Sequence, residues 1–219
     1  MSEFYTPTQR KLQDEYNTRD LADHVAAAIV VDELADPHIE FIVARNMFFL
    51  STVDENGFPS CSYKGGAPGF IRILNPNTLV FPNYDGNGMF MSQGNIAATS
   101  KVGLLFINFE VPQRIRLRGT AKLLHDGPMV ESYPGALTVT EISIEKVWIN
   151  CARYVHRMEP KGGLSSFLPR EDGTYKIAPW KRIDVLQEGI TKSERKEAEA
   201  IGLITLEEYA EMEALGEVK

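Results

Sequence analysis

The apolar residues change period twice along the chain. Near the start, Leu12 and Tyr16, then Leu21, Val25 and Ala28, recur at helical spacing. A further helix is signalled at Asp36-Pro37, where aspartate can cap and proline suits the first turn. Ile39, Ile42 and Val43 then supply its apolar stripe. From residue 47 the period becomes that of strands. MFFLSTV and FPSCSYK flank the turn DENG at 54–57, which reads as a hairpin. GGAPG at 65–69 breaks the chain, and FIRIL and TLVFPN follow around the turn NPN. VGLLFINF is a nearly continuous apolar run whose β-branched and aromatic content favours strand. PQRIRLRGTAKLLH and ALTVTEISIEKVWIN are two long strands, separated by DGPMVESYPG as a short helix or loop. Residues 160–190 read as an irregular arm, and 191–200 and 205–215 as helices.

Six or seven consecutive strands on short turns predict a mainly β, α+β fold, with an antiparallel sheet closed into a small barrel. The expected segments are helical residues 1–45 packed on the barrel, the barrel at 46–158, and an arm with C-terminal helices at 159–219. A hydrophobic fraction of 43% in 219 residues supplies a core, and 24% mixed charge argues against disorder.

Net charge is −7, from 23 basic and 30 acidic residues, so general nucleic-acid binding is not expected. Cys61 and Cys151 form no CxxC pair, and His24, His38, His125 and His156 are scattered, so no metal motif emerges. The N-terminus lacks an apolar signal core, and no apolar run approaches a membrane span, which makes a reducing cytoplasmic setting the expectation.

Three stretches carry candidate chemistry. Ser60, Ser62 and Lys64 share one strand face, which is either an anion-contact line or a solvated face. Arg114, Arg116 and Arg118 share another, with Ile115 and Leu117 opposite, again either a site or an outer face. The third is FPNYDGNGMFMSQGN at 81–95, where Asn83, Asn87, Ser92 and Asn95 offer side-chain donors. A helix expected to begin near Asn87 would add backbone N–H groups suited to an anion. This stretch matches neither the P-loop nor the GxGxxG fingerprint. Cys151 and His156 make a poor nucleophile pair, and no GxSxG elbow is present.

In their order, FFLSTVDENGFPSCSYKGGAPGFIRIL, TLVFPNYDGNGMFMSQGNI, SKVGLLFINF and RIRLRGTAKLL resemble the FMN-binding split-barrel family. More narrowly, they are similar to proteins related to pyridoxamine 5′-phosphate oxidase. The likeness spans about residues 40–155 and includes WINCARYVHR, similar to that family's NCPxYI segment. It implies a six-stranded antiparallel split barrel and a homodimer with FMN at the interface. It assigns flavin and phosphate contacts to Ser60, Ser62 and Lys64, then to Pro82 and Asn83. The family's basic phosphate-binding pair falls where this chain has no Arg or Lys, so Asn87 and Ser92 would substitute, with Arg72 or Arg114 supplying charge. Arg114 also matches a polar flavin contact, and Trp180 could cover the flavin.

The implied activity is that of an FMN-dependent oxidoreductase acting on a small molecule. The alternatives are a flavin carrier or sensor without turnover, or a barrel module for another anionic ligand or a protein partner. The Arg-x-His and Arg-Leu-x-Pro motifs of the true oxidases are missing, because the matching region reads PWKRIDVLQEG. Efficient oxidation of pyridoxamine 5′-phosphate is therefore not expected.

Overall fold

The computed structural model describes residues 4–216. Helices α1 (Pro7–Glu15) and α2 (Arg19–Ile29) lead into a two-residue strand, β1 (Val30–Val31), and then α3 (Asp36–Val43). Thr6 caps α1: its hydroxyl accepts from the Gln9 amide at 3.4 Å, and the Gln9 side chain accepts from the Thr6 N–H at 2.8 Å. At α3 the cap is Ala35 rather than Asp36, with His38 Nδ1 accepting the Ala35 N–H at 3.1 Å. Leu12, Tyr16, Leu21 and Val25 are exposed.

The sheet is built from β2 (Met47–Val53), β3 (Pro59–Gly65), β4 (Arg72–Asn75), β5 (Thr78–Asn83), β6 (Lys101–Asn108), β7 (Gln113–Leu124) and β8 (Thr138–Asn150). Its order is β3-β2-β6-β7-β8-β5-β4, with β1 also paired to β8. Every pairing is antiparallel. Asp54 closes the β2–β3 hairpin by accepting the amides of Asn56 and Phe58, each at 2.9 Å, while Gly57 takes the positive φ of 86° that the turn requires.

Two expectations are corrected. The sheet has eight strands rather than six, and it is not closed, because β3 and β4 are its edges. Seven of the eight are the strands that the sequence pattern shows, and the length of β8 explains the eighth, β1. Over 138–143 it pairs with β5, and the residues beyond that short strand leave an edge that Val30 and Val31 fill opposite Trp148 and Val147.

Alternation along β6 and β7 buries Val102, Leu104 and Phe106, then Ile115, Leu117 and Ala121. These meet Phe48, Phe70 and Phe81 in one core, where the Phe48 ring lies 5.0 Å from Phe81 and 5.3 Å from Phe106. Ile42 of α3 and Ile96 of α4 (Met91–Thr99) cap this core. At Arg118/Gly119 the β7–β8 register shifts by a bulge. A Cβ on Gly119 would lie 2.1 Å from the Ser143 carbonyl oxygen, so no larger residue fits the crossing. After α5 (Pro128–Glu131) and the arm come the 3₁₀ turns Pro179–Arg182 and Asp184–Leu186, then α6 (Lys192–Ile201) and α7 (Leu206–Leu215). Among the described residues, no helix is long and apolar enough to cross a membrane.

Candidate functional site

The edge strand β3 turns Ser60, Ser62 and Lys64 to one side, each half-buried. The connection from β5 to α4 runs opposite them. Together they enclose a cleft of about 320 Å³, lined also by Tyr84, residues 85–93 and Leu137. Within it, the hydroxyl oxygens of Ser62 and Ser92 lie 3.1 Å apart. The cleft has one cation in its lining, Lys64, and one acid, Asp85.

Lys64 takes part in none of the ion pairs among the described residues. Burial pulls its pKa below that of an ordinary lysine. A desolvated ammonium without a counter-ion favours an arriving anion.

The backbone offers more donors. The helix foreseen near Asn87 begins instead at Met91, because Asn87 and Gly88 form a turn: Asn87 Oδ1 accepts the Met89 amide at 3.1 Å, and Gly88 has φ +73°. Phe90, the residue before α4, is left-handed at φ 50° and provides no side-chain cap. For a bulky residue that conformation stores of order 1–3 kcal/mol of strain. The first amides of α4, at Met91, Ser92 and Gln93, belong to residues that line the cleft. An uncapped helix start and Lys64 therefore address the same space.

Asn95 and Thr99 fix α4 in place. The Asn95 amide donates to Thr52 Oγ1 at 3.0 Å, and Thr99 Oγ1 donates to the Val53 carbonyl at 2.7 Å. Of the residues singled out from sequence, Ser60, Ser62, Lys64, Asn87 and Ser92 thus come together at the cleft, while Asn95 anchors the helix behind it. Asn83 is buried and donates to Thr138 and Thr140 hydroxyls at 3.0 and 2.8 Å, and its neighbour Pro82 is buried as well.

The other cations lie elsewhere. Arg72 donates to the Ser132 hydroxyl and carbonyl at 2.6 and 2.9 Å and stacks 3.7 Å above the Tyr133 ring. Burial pushes the Tyr133 phenol up to about 12, against the opposing pull of Arg72. Arg114 donates to the Cys151 carbonyl at 3.1 Å. With Arg116 and Arg118 it lines a separate cleft of about 820 Å³ between the N-terminal helices and the outer sheet face. There Arg116 lies 5.0 Å from the Trp148 ring centre. Trp180 lines two smaller hollows beside Asp85 and Gly86.

The sequence reading missed Tyr84, Asp85, Gln93 and Leu137 as lining residues, and Lys181 as the partner of Asp85 at 2.5 Å. Burial raises the Tyr84 phenol pKa, Tyr175 adds to this and Arg72 opposes it, so Tyr84 stays a neutral hydrogen-bonding group. One signal was legible: T-x-x-E at Thr191–Glu194 is a capping box, and it places Glu194 in the first turn of α6 next to Lys181. Among the described residues no group of His, Cys, Asp and Glu is placed to hold a metal ion.

The chain is thus an α+β protein built on an open antiparallel sheet, with a cleft between the edge strand β3 and the start of α4. Residues 34–151 match the family model for pyridoxamine 5′-phosphate oxidase, and the chain belongs to that family. No curated protein matches it. Among solved structures it is similar to HupZ of Group A Streptococcus, with 16% identity over 57% of this chain and 100% of that one, at a TM-score of 0.46. An FMN-binding protein of Syntrophomonas wolfei matches with 14% identity over 65% of this chain and 94% of the other, at a TM-score of 0.39. HutZ, the heme storage protein of Vibrio cholerae, matches with 16% identity over 52% and 93%, at a TM-score of 0.40.

Proposed function

We propose that the protein binds FMN with its phosphate in the Lys64 cleft and works as an FMN-dependent oxidoreductase on a small molecule. The observation that carries this reading is Lys64, half-buried, without a counter-ion, and facing the same space as the uncapped start of α4. A phosphate dianion satisfies both. The residues fit the group: Ser60, Ser62 and Ser92 supply hydroxyl donors, Lys64 the charge, and the first turn of α4 backbone N–H groups. When bound, the flavin supplies hydride transfer at its N5 atom. The chain's own task is to hold the phosphate, orient the ring and limit access of water.

We also propose a homodimer. Phe58, Tyr63, Val111 and Ile149 on the strands and their turns, with Leu12, Leu21 and Val25 on the N-terminal helices, are exposed apolar side chains that a second copy would cover.

The test is an absorbance spectrum of the purified protein, with release and identification of the chromophore. Bleaching of the loaded protein by NAD(P)H, followed by reoxidation, supports an enzyme. Binding without any reduction supports a carrier. Pyridoxamine 5′-phosphate should not be turned over near about 1 s⁻¹, the lower end of the ordinary enzymatic range.

A further inference from the structure

Among the described residues, Lys64 and Asp85 are the charged ones that line the cleft. Left to themselves they would cancel, and a dianion would meet a site with no net attraction. Asp85 is not left to itself, because its carboxylate takes Lys181 Nζ at 2.5 Å. Lys181 comes from the 3₁₀ turn Pro179–Arg182, is only 7% exposed and does not line the cleft. It also pairs with Glu194. The second Glu194 oxygen accepts the Thr191 amide at 2.9 Å and the Thr191 hydroxyl at 2.7 Å. Glu194 itself sits in the first turn of α6, where the helix start and Thr191 stabilise its charge, and it does not line the cleft. Gln187 fixes the backbone that carries Lys181, donating to the carbonyls of Lys181 and Ile183 at 2.9 and 2.8 Å.

We propose that Lys181 is a positioning residue for the ligand site: it neutralises Asp85, so that a segment outside the cleft sets the cleft's affinity for an anion. The proposal rests on the reading of the cleft as an FMN phosphate site. Removing Lys181 leaves a bare carboxylate in the cleft wall, where it opposes phosphate. Removing Asp85 as well takes away the cause. A purely structural role for Lys181 would give no such rescue.

The experiment is a low-salt titration of FMN and of riboflavin, which has the same ring without phosphate, into wild type, K181M, D85N and D85N/K181M. Circular dichroism checks each fold. K181M should lose about tenfold or more in FMN affinity. Its riboflavin affinity should change by less than about threefold, and D85N/K181M should return to within about threefold of wild type for FMN. D85N alone should bind FMN at least as tightly as wild type. An FMN affinity in K181M equal to wild type, a loss shared by riboflavin, or a loss that D85N does not restore would each overturn the proposal. If K181M does not fold, D85N decides, since a loss of about tenfold there contradicts a role based on cancelled charge. Failure of wild type itself to bind FMN would remove the underlying reading before any variant is compared.

Discussion

Lys64 is the residue on which the electrostatics of the cleft turn. Among the described residues its ammonium has no counter-ion, it is half-buried, and burial lowers its pKa from the ordinary 10.5. A bound phosphate pushes that pKa back up. Phosphate affinity should therefore be full at pH values below the depressed pKa and fall as pH rises through it, beginning sooner than an ordinary lysine would allow. Titrations of FMN and riboflavin across the alkaline range check this, since only FMN should show the fall. The alternation of β3 made Ser60, Ser62 and Lys64 legible from the sequence as one face. Arg72 and Arg114 were not legible in the same way. Their partners, the Ser132 and Cys151 carbonyls, are brought to them by chain packing over long sequence separations.

The strands of the sheet were readable because each obeys a period of two between strong turn signals, and Asp54 and Gly57 behave as their residue types require. The two-residue β1 was not readable, since it exists only because β8 outruns β5. Closure was misjudged for a related reason: nothing in alternation says whether the two edge strands meet. The β7–β8 bulge gives a direct test of element packing. Gly119→Ala places a methyl group 2.1 Å from a backbone oxygen, which cannot swing away. We expect a loss of about 2–4 kcal/mol in denaturant unfolding, while Gly88→Ala, in open space, should act through its positive φ alone and less severely. The first turn of α6 gives an acid test. Burial raises the Glu194 pKa, but hydrogen bonds from Lys181 and Thr191 outweigh it and hold the pKa at about 2, against an ordinary 4.5. A depressed carboxylate stabilises the folded state fully above pH 4.5, and that contribution fades as pH falls towards about 2. Protection factors of the α6 amides, taken relative to the intrinsic exchange rate at each pH, should fall over this window in wild type and lose that dependence in E194Q.

Across the whole molecule, the cleft is assembled from an edge strand, a strained turn and a helix start, and the C-terminal segment is tied to its rim by Lys181. The N-terminal helices and outer sheet face expose apolar residues, so light scattering at micromolar concentration should report twice the 24.5 kDa chain mass. A monomer that binds FMN tightly would refute the dimer without touching the cleft. The order of motifs across residues 40–155 carried the family, but the tie between Asp85 and Lys181 joins positions 96 apart and left no pattern to read. The central claim is that the Lys64 cleft holds the phosphate of FMN. Fluorescence titration of FMN into wild type and Lys64→Ala tests it most directly. A charge-assisted hydrogen bond contributes about 1.5–3 kcal/mol, so the variant should bind about tenfold or more weakly than a wild type whose Kd lies below roughly 10 μM. Equal affinities in the two proteins, or no binding by wild type at that concentration, would contradict the account.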